Sequence, residues 1–136
     1  AMTQEIGFEV QLVKTYEQAL ASVEEALKQE GFGVLTKIDV RSTLKKKLNE
    51  DFRPYAILGA CNPSLAHQAL LTEPSVGLML PCNVTVEASD EHNSLVRILN
   101  PQIMMGVGDF KENEAIVAVA DEAYQRLSRV AAALNP

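Results

Sequence analysis

The chain has 136 residues, 47 % of them hydrophobic and 22 % charged, with a formal charge of −6. This is the composition of a single globular domain, here residues 1–136, able to bury one hydrophobic core, and no single-charge run or Ser/Gly/Pro-rich tract marks a linker. The acidic balance argues against nucleic acid, whose binding needs basic surface to displace counterions, and no apolar run nears the roughly 18 residues that span a bilayer.

No basic region followed by an apolar core begins the chain, so no signal peptide is expected. Two cysteines are too few for a disulfide framework, and free thiols in a reducing, cytoplasmic setting are the expectation.

In chain order, residues 5–13 alternate, with Ile6, Phe8, Val10 and Leu12 on one side and Glu5, Glu9 and Gln11 on the other, which predicts a half-buried strand. Thr15 and Gln18 form a capping box. The stripe Tyr16, Ala19, Leu20, Val23, Ala26, Leu27 then carries a helix over 15–30, closed by Gly31 with Phe32 folding back on it.

Val34, Thr36, Ile38 and Val40 alternate with Lys37 and Asp39, a second strand expected to pair with the first. Leu44, Leu48 and Phe52 recur every four residues through a basic cluster of Arg41, Lys45, Lys46, Lys47 and Arg53. This predicts a short amphipathic helix near 42–51 with a solvated basic face.

Tyr55 to Cys61 is short and apolar throughout, as for a strand buried on both faces. Asn62-Pro63 then starts a helix over 63–72, with Leu65, Ala66, Ala69 and Leu70 on one side and His67 just outside that arc.

Val76–Leu80 is read as a strand interrupted by Pro81 and continued, bent, by Cys82, Val84, Val86 and Ala88. Residues 90–93 turn the chain into a hairpin with Leu95–Leu99, and 100–108 reads as a loop containing Met104 and Met105. Ile116, Val119, Ala120, Ala123, Leu127, Val130 and Leu134 give a long amphipathic helix from about 112 to 134. Two long helices and about five strands imply an α+β fold of one sheet and one helical layer.

The segment Phe52-Arg53-Pro54-Tyr55, Leu58-Gly59-Ala60-Cys61-Asn62-Pro63, Ala66-His67-Gln68-Ala69-Leu70, Glu73-Pro74 and Gly77-Leu78-Met79-Leu80-Pro81-Cys82-Asn83-Val84 resembles the domain-of-unknown-function 302 family. The likeness runs upstream through Thr43-Leu44-Lys45-Lys46-Lys47-Leu48 and downstream through Asn100-Pro101-Gln102-Ile103-Met104 and the last helix. It implies a β-α-β(4)-α arrangement, one mainly antiparallel sheet packed against two long helices, similar in topology to TATA-binding-protein-like domains, and a homodimer. It implies no particular reaction, and shared topology says nothing about DNA.

Chemistry centres on Cys61 and Cys82, each followed by Asn and each at the end of a predicted element. Cys61 precedes a helix N-terminus, where a thiolate is stabilised, and His67 lies about five residues into that helix.

Three functional readings follow. Cys61 and Cys82 act as a catalytic redox pair or sulfur carrier; or Cys61, Cys82 and His67, or the thiols with Met104 and Met105, hold a soft metal ion such as Cu(I) or zinc. In the third, a small molecule binds in a groove near Asn62, His67, Asn83, Met104 and Met105 that the cysteines merely line. Twenty residues between the cysteines and the absence of Cys-x-x-Cys speak against a zinc knuckle.

The alternative is a non-catalytic ligand-binding or dimeric interaction module in which both cysteines pack as small hydrophobes. Gly106-Val107-Gly108 is too short for a dinucleotide fingerprint, His92 belongs to a turn, and Glu73 and Glu87 are single carboxylates without a partner evident in sequence.

Overall fold

The computed structural model describes residues 2–3 and 6–135, with side chains from residue 6 onward. The elements are β1 (Met2–Thr3), β2 (Gly7–Leu12), α1 (Tyr16–Gln29), β3 (Gly33–Asp39), α2 (Val40–Leu48), β4 (Tyr55–Cys61), α3 (Pro63–Thr72), β5 (Cys82–Ala88), β6 (Ser94–Leu99) and α4 (Glu114–Leu134). Short 3-10 turns cover Pro74–Met79, Pro101–Gly106 and Phe110–Glu112. Setting β1 and the short helices α2 and α3 aside, this is the β-α-β(4)-α order. Glu5, placed by sequence on the polar side of the first strand, lies outside the described residues.

The strands form one sheet in the order β1-β2-β6-β5-β4-β3, every neighbouring pair antiparallel. β3 therefore does not pair with β2, contrary to the sequence expectation. The two run in the same direction at opposite sides of the β2-to-β3 sheet, and the hairpin of β5 and β6, with β4, fills the space between them. Strands joined through a helix need only lie parallel; they need not be neighbours.

Local chemistry sets the helix ends. Thr15 Oγ1 accepts from Gln18 N at 3.2 Å, and Gln18 Oε1 accepts from Thr15 N at 3.1 Å. At the other end Gly31 adopts φ +83°, and the amides of Gly31 and Phe32 donate to the carbonyls of Lys28 and Leu27, the Schellman arrangement that folds Phe32 into the core. Asn62 caps α3 through Leu65 N at 3.1 Å with Pro63 in its first turn, and Asn113 caps α4.

α1 and α4 lie on one face of the sheet. Phe8, Val10 and Leu12 of β2, Ala56, Leu58 and Ala60 of β4, Val84 and Val86 of β5, and Val96 and Ile98 of β6 meet Val23, Leu27, Leu127 and Val130 there. A fully buried side chain such as Leu58 contributes about 1.5–3 kcal/mol. A second cluster, with Ala69, Val76, Met104, Ile116, Val119 and Ala120, fills the space between α3, α4 and the 3-10 turns. No described helix is long and apolar enough to cross a membrane.

Four sequence expectations change. β4 is fully buried on one face only: Ala56, Leu58 and Ala60 point into the core, while on the other face Tyr55, Ile57 and Cys61 are half-buried and only Gly59, beneath Thr36 and Pro81, is buried. Val76–Leu80 is not a strand, since Glu73 caps Ser75 N and Pro74 presets the first turn of a 3-10 helix. Pro81 consequently stands just before β5, where its missing N–H disrupts no ladder, and β5 pairs with β4 and β6 without a register shift. α2 ends at Leu48 with Asn49 in the left-handed conformation (φ 56°), and it buries no residue: Leu48 is 65 % exposed.

Candidate functional site

The cysteines sit where β4 and β5 end and begin. Cys82 pairs with Ala60, so Cys61 is one step out of register with it, and successive strand residues point to opposite faces. Both thiols are free. Cys82 is buried, and that burial, together with the neighbouring Cys61, pushes its thiol up to about 11.

Cys61, Cys82, Asn62 and Met104 all border one apolar crevice of about 30 Å³, closed by Phe32, Leu65 and Val76. That is room for one or two waters at most. Asn62 is itself buried and occupied in capping α3.

The remaining candidates lie elsewhere. His67 is exposed on α3 and does not line the crevice, Met105 packs beside the second cluster, and Asn83 is exposed. Among the described residues no group of three or more His, Cys, Asp or Glu side chains is placed to hold a metal ion. Cys61, Cys82 and His67 are therefore not assembled as a ligand set.

A larger concavity opens on the uncovered face of the sheet. It has a volume of about 280 Å³ and is bounded by Ile6, Gly7, Phe8, Ile98 and Leu99 on its apolar side and by Tyr55, Asn83, Thr85 and Arg97 on its polar side. The strand registers build it. Glu9 pairs with Arg97, Arg97 with Thr85 and Thr85 with Ile57, so the alternation that sends Val10, Val96 and Val86 into the core sends this row outward. Gly7 is required there, since a Cβ would collide with the carbonyl oxygen of Ile98.

Beside the crevice lies a charge cluster absent from the sequence reading. Glu87 is only 6 % exposed, yet its carboxylate accepts from Arg53 Nε at 2.5 Å through one oxygen and from Arg97 Nη1 through the other. Arg97 Nε also donates to Glu9 at 3.0 Å.

Burial by itself would raise the Glu87 pKa. The hydrogen bonds and charges of Arg53 and Arg97 outweigh it and hold the carboxyl below its ordinary range. The Arg53 guanidinium lies 4.6 Å from the Phe52 ring centroid and 5.9 Å from that of Tyr55, which ties the segment before β4 to the crevice wall. Thr85 Oγ1 is buried and has no hydrogen-bond partner among the described residues.

A signal for this cluster was present in the sequence. Once Asp90–Asn93 is the hairpin turn, Glu87 and Arg97 share the parity of Asn83 and Thr85, and a carboxylate and a guanidinium on facing arms at diagonal positions are natural partners.

Comparison with known proteins agrees with this architecture. A crystal structure of an uncharacterized conserved protein DUF302 from Bacillus stearothermophilus is 28 % identical, with a TM-score of 0.82, covering 98 % of this chain and 100 % of that one. No curated protein matches the chain significantly. The model of the domain of unknown function DUF302 matches residues 8–134. Spanning nearly every element from β2 to α4, that match makes this chain a member of the DUF302 family.

Proposed function

We propose that the domain is a non-catalytic binding module that takes a small molecule in the crevice on the uncovered sheet face, with both cysteines serving as packing residues. The observation that carries this reading is the 280 Å³ concavity itself, apolar along Ile6, Gly7 and Leu99 and with a few polar side chains converging from β4, β5 and β6. Small-molecule sites generally have this composition.

Thiol chemistry at Cys61 and Cys82 is the weaker reading. A sulfur pushed up to about 11 is almost wholly protonated at neutral pH, and the crevice at the cysteines has no room for a substrate. A soft metal ion has less support still, since His67 lies outside that crevice.

A fragment screen by NMR tests the proposal. Hits should shift the amides of Asn83, Thr85, Arg97 and Leu99, and Leu99→Trp, which fills the crevice, should abolish them. Hits confined to the cysteine crevice, or none, would overturn it.

The homodimer implied by the resemblance belongs to the same reading. The uncovered edge strand β3 and helix α2 expose Leu35, Ile38 and Leu48, the kind of apolar surface that association covers. Sedimentation equilibrium finding only monomer at micromolar concentration would remove it.

A further inference from the structure

Resting on the crevice as the binding site, we infer that it selects an uncharged small molecule with an apolar body and a hydrogen-bonding group such as an amide or hydroxyl. Arg97 is the one charged side chain that lines the crevice, and it is already engaged in a network of four ionised groups. Arg53 and Arg97 both hold Glu87, and Arg97 also holds Glu9, two positive charges against two negative. An ion entering the crevice would lose its hydration and find no counter-charge that is not already paired. It could gain one only by displacing Glu87, a buried carboxylate, from its guanidinium partners.

The polar groups left for a ligand are uncharged. Neither the Tyr55 hydroxyl nor the Asn83 amide has a hydrogen-bond partner among the described residues, and both line the crevice. Together they offer donors and acceptors. Thr85 Oγ1, unpaired below them, adds no charge. The opposite wall, at Ile6, Gly7 and Leu99, offers apolar surface and close approach to backbone. A flat molecule carrying one amide can satisfy both walls at once.

Three probes of nearly equal size separate the outcomes at pH 7: benzamide, benzoate and benzylamine, each titrated into 15N-labelled protein while the amides of Asn83, Thr85, Arg97 and Leu99 are followed. Benzamide should shift these resonances and bind about tenfold tighter than either ion. Tyr55→Phe should weaken benzamide. Asn83→Asp, at an exposed position, should transfer the preference to benzylamine, a change that a merely structural role for Asn83 would not produce. Benzoate or benzylamine binding the wild-type crevice as tightly as benzamide would overturn the charge selectivity and leave the site standing. No probe moving the crevice resonances at millimolar concentration would overturn both.

Discussion

Glu87 and Arg97 stand diagonally across the β5–β6 hairpin, and the buried carboxylate of one accepts a hydrogen bond from the guanidinium of the other, while Arg53, 34 residues earlier than Glu87, binds its second oxygen. The pairing fastens the segment before β4 to the middle of the sheet. Removing the carboxylate leaves two guanidinium groups facing each other. Glu87→Ala should therefore cost about 2 kcal/mol, less than a wholly buried pair because Arg53 and Arg97 keep about half of their side chains in water. Urea unfolding measures it, and a loss near zero would show that the network contributes only orientation.

Acid should act on the same residue. The folded Glu87 pKa lies below its unfolded value, so the stabilisation is present above the unfolded pKa, near 4.5, and is lost as pH falls through the lower folded value. Unfolding midpoints recorded from pH 7 down to about 3 should fall more steeply for wild type than for Glu87→Gln, because the glutamine has nothing to titrate. Parallel curves would assign the acid sensitivity to other carboxylates.

Thr85 offers a test of opposite sign. Its buried hydroxyl has no partner among the described residues, so Thr85→Val keeps the shape and removes a desolvated polar group. The variant should be more stable by about 1 kcal/mol, or about 3 °C in Tm for a domain of this size. A less stable variant would mean that the hydroxyl has a partner in solution, a bridging water being the simplest.

The contrast between what the sequence revealed and what it concealed follows from the range of the interactions. Caps are local, so Thr15, Gly31, Asn62 and the periodicity of α4 were legible residue by residue. The neighbour of β3 was not, because pairing depends on strands that arrive later in the chain. Val76–Leu80 reads in sequence as a strand leading into the alternating Cys82–Ala88; the cap from Glu73 to Ser75 and the start at Pro74 make it a 3-10 turn instead. The cysteines drew attention as rare residues at element ends; the fold leaves Cys61 half-buried and buries Cys82. Of the partners of Glu87, Arg97 was within reach of the expected hairpin, whereas Arg53, 34 residues away, is brought to it only by the fold.

Gly59 tests the packing of the open face. A Cβ there would collide with Thr36 Oγ1 and come within 2.8 Å of Pro81 Cγ, so β3 and the residue before β5 both close over this one strand position. Gly59→Ala should destabilise by about 1–3 kcal/mol, the usual range for overpacking. Adding Thr36→Ala removes one of the two obstructions and should recover part of the loss. Two substitutions whose costs simply add would show that the strands separate without strain.

Cys82 links stability to thiol chemistry, the weaker of the two functional readings. Its folded pKa, pushed up to about 11 by burial, lies above the value of 9.0 for a free thiol. A raised folded pKa means that stability is fully present below pH 9 and is lost as pH rises toward 11, because the unfolded thiol releases its proton first. Wild type should lose of order 2–3 kcal/mol across that window beyond what Cys82→Ala loses, although the alanine variant starts lower for want of the sulfur's packing. The same burial predicts that a thiol reagent at pH 7 modifies Cys82 only after unfolding. Stoichiometric labelling of native protein at Cys82, resolved by mass spectrometry of the digested chain, would restore thiol chemistry as the leading reading.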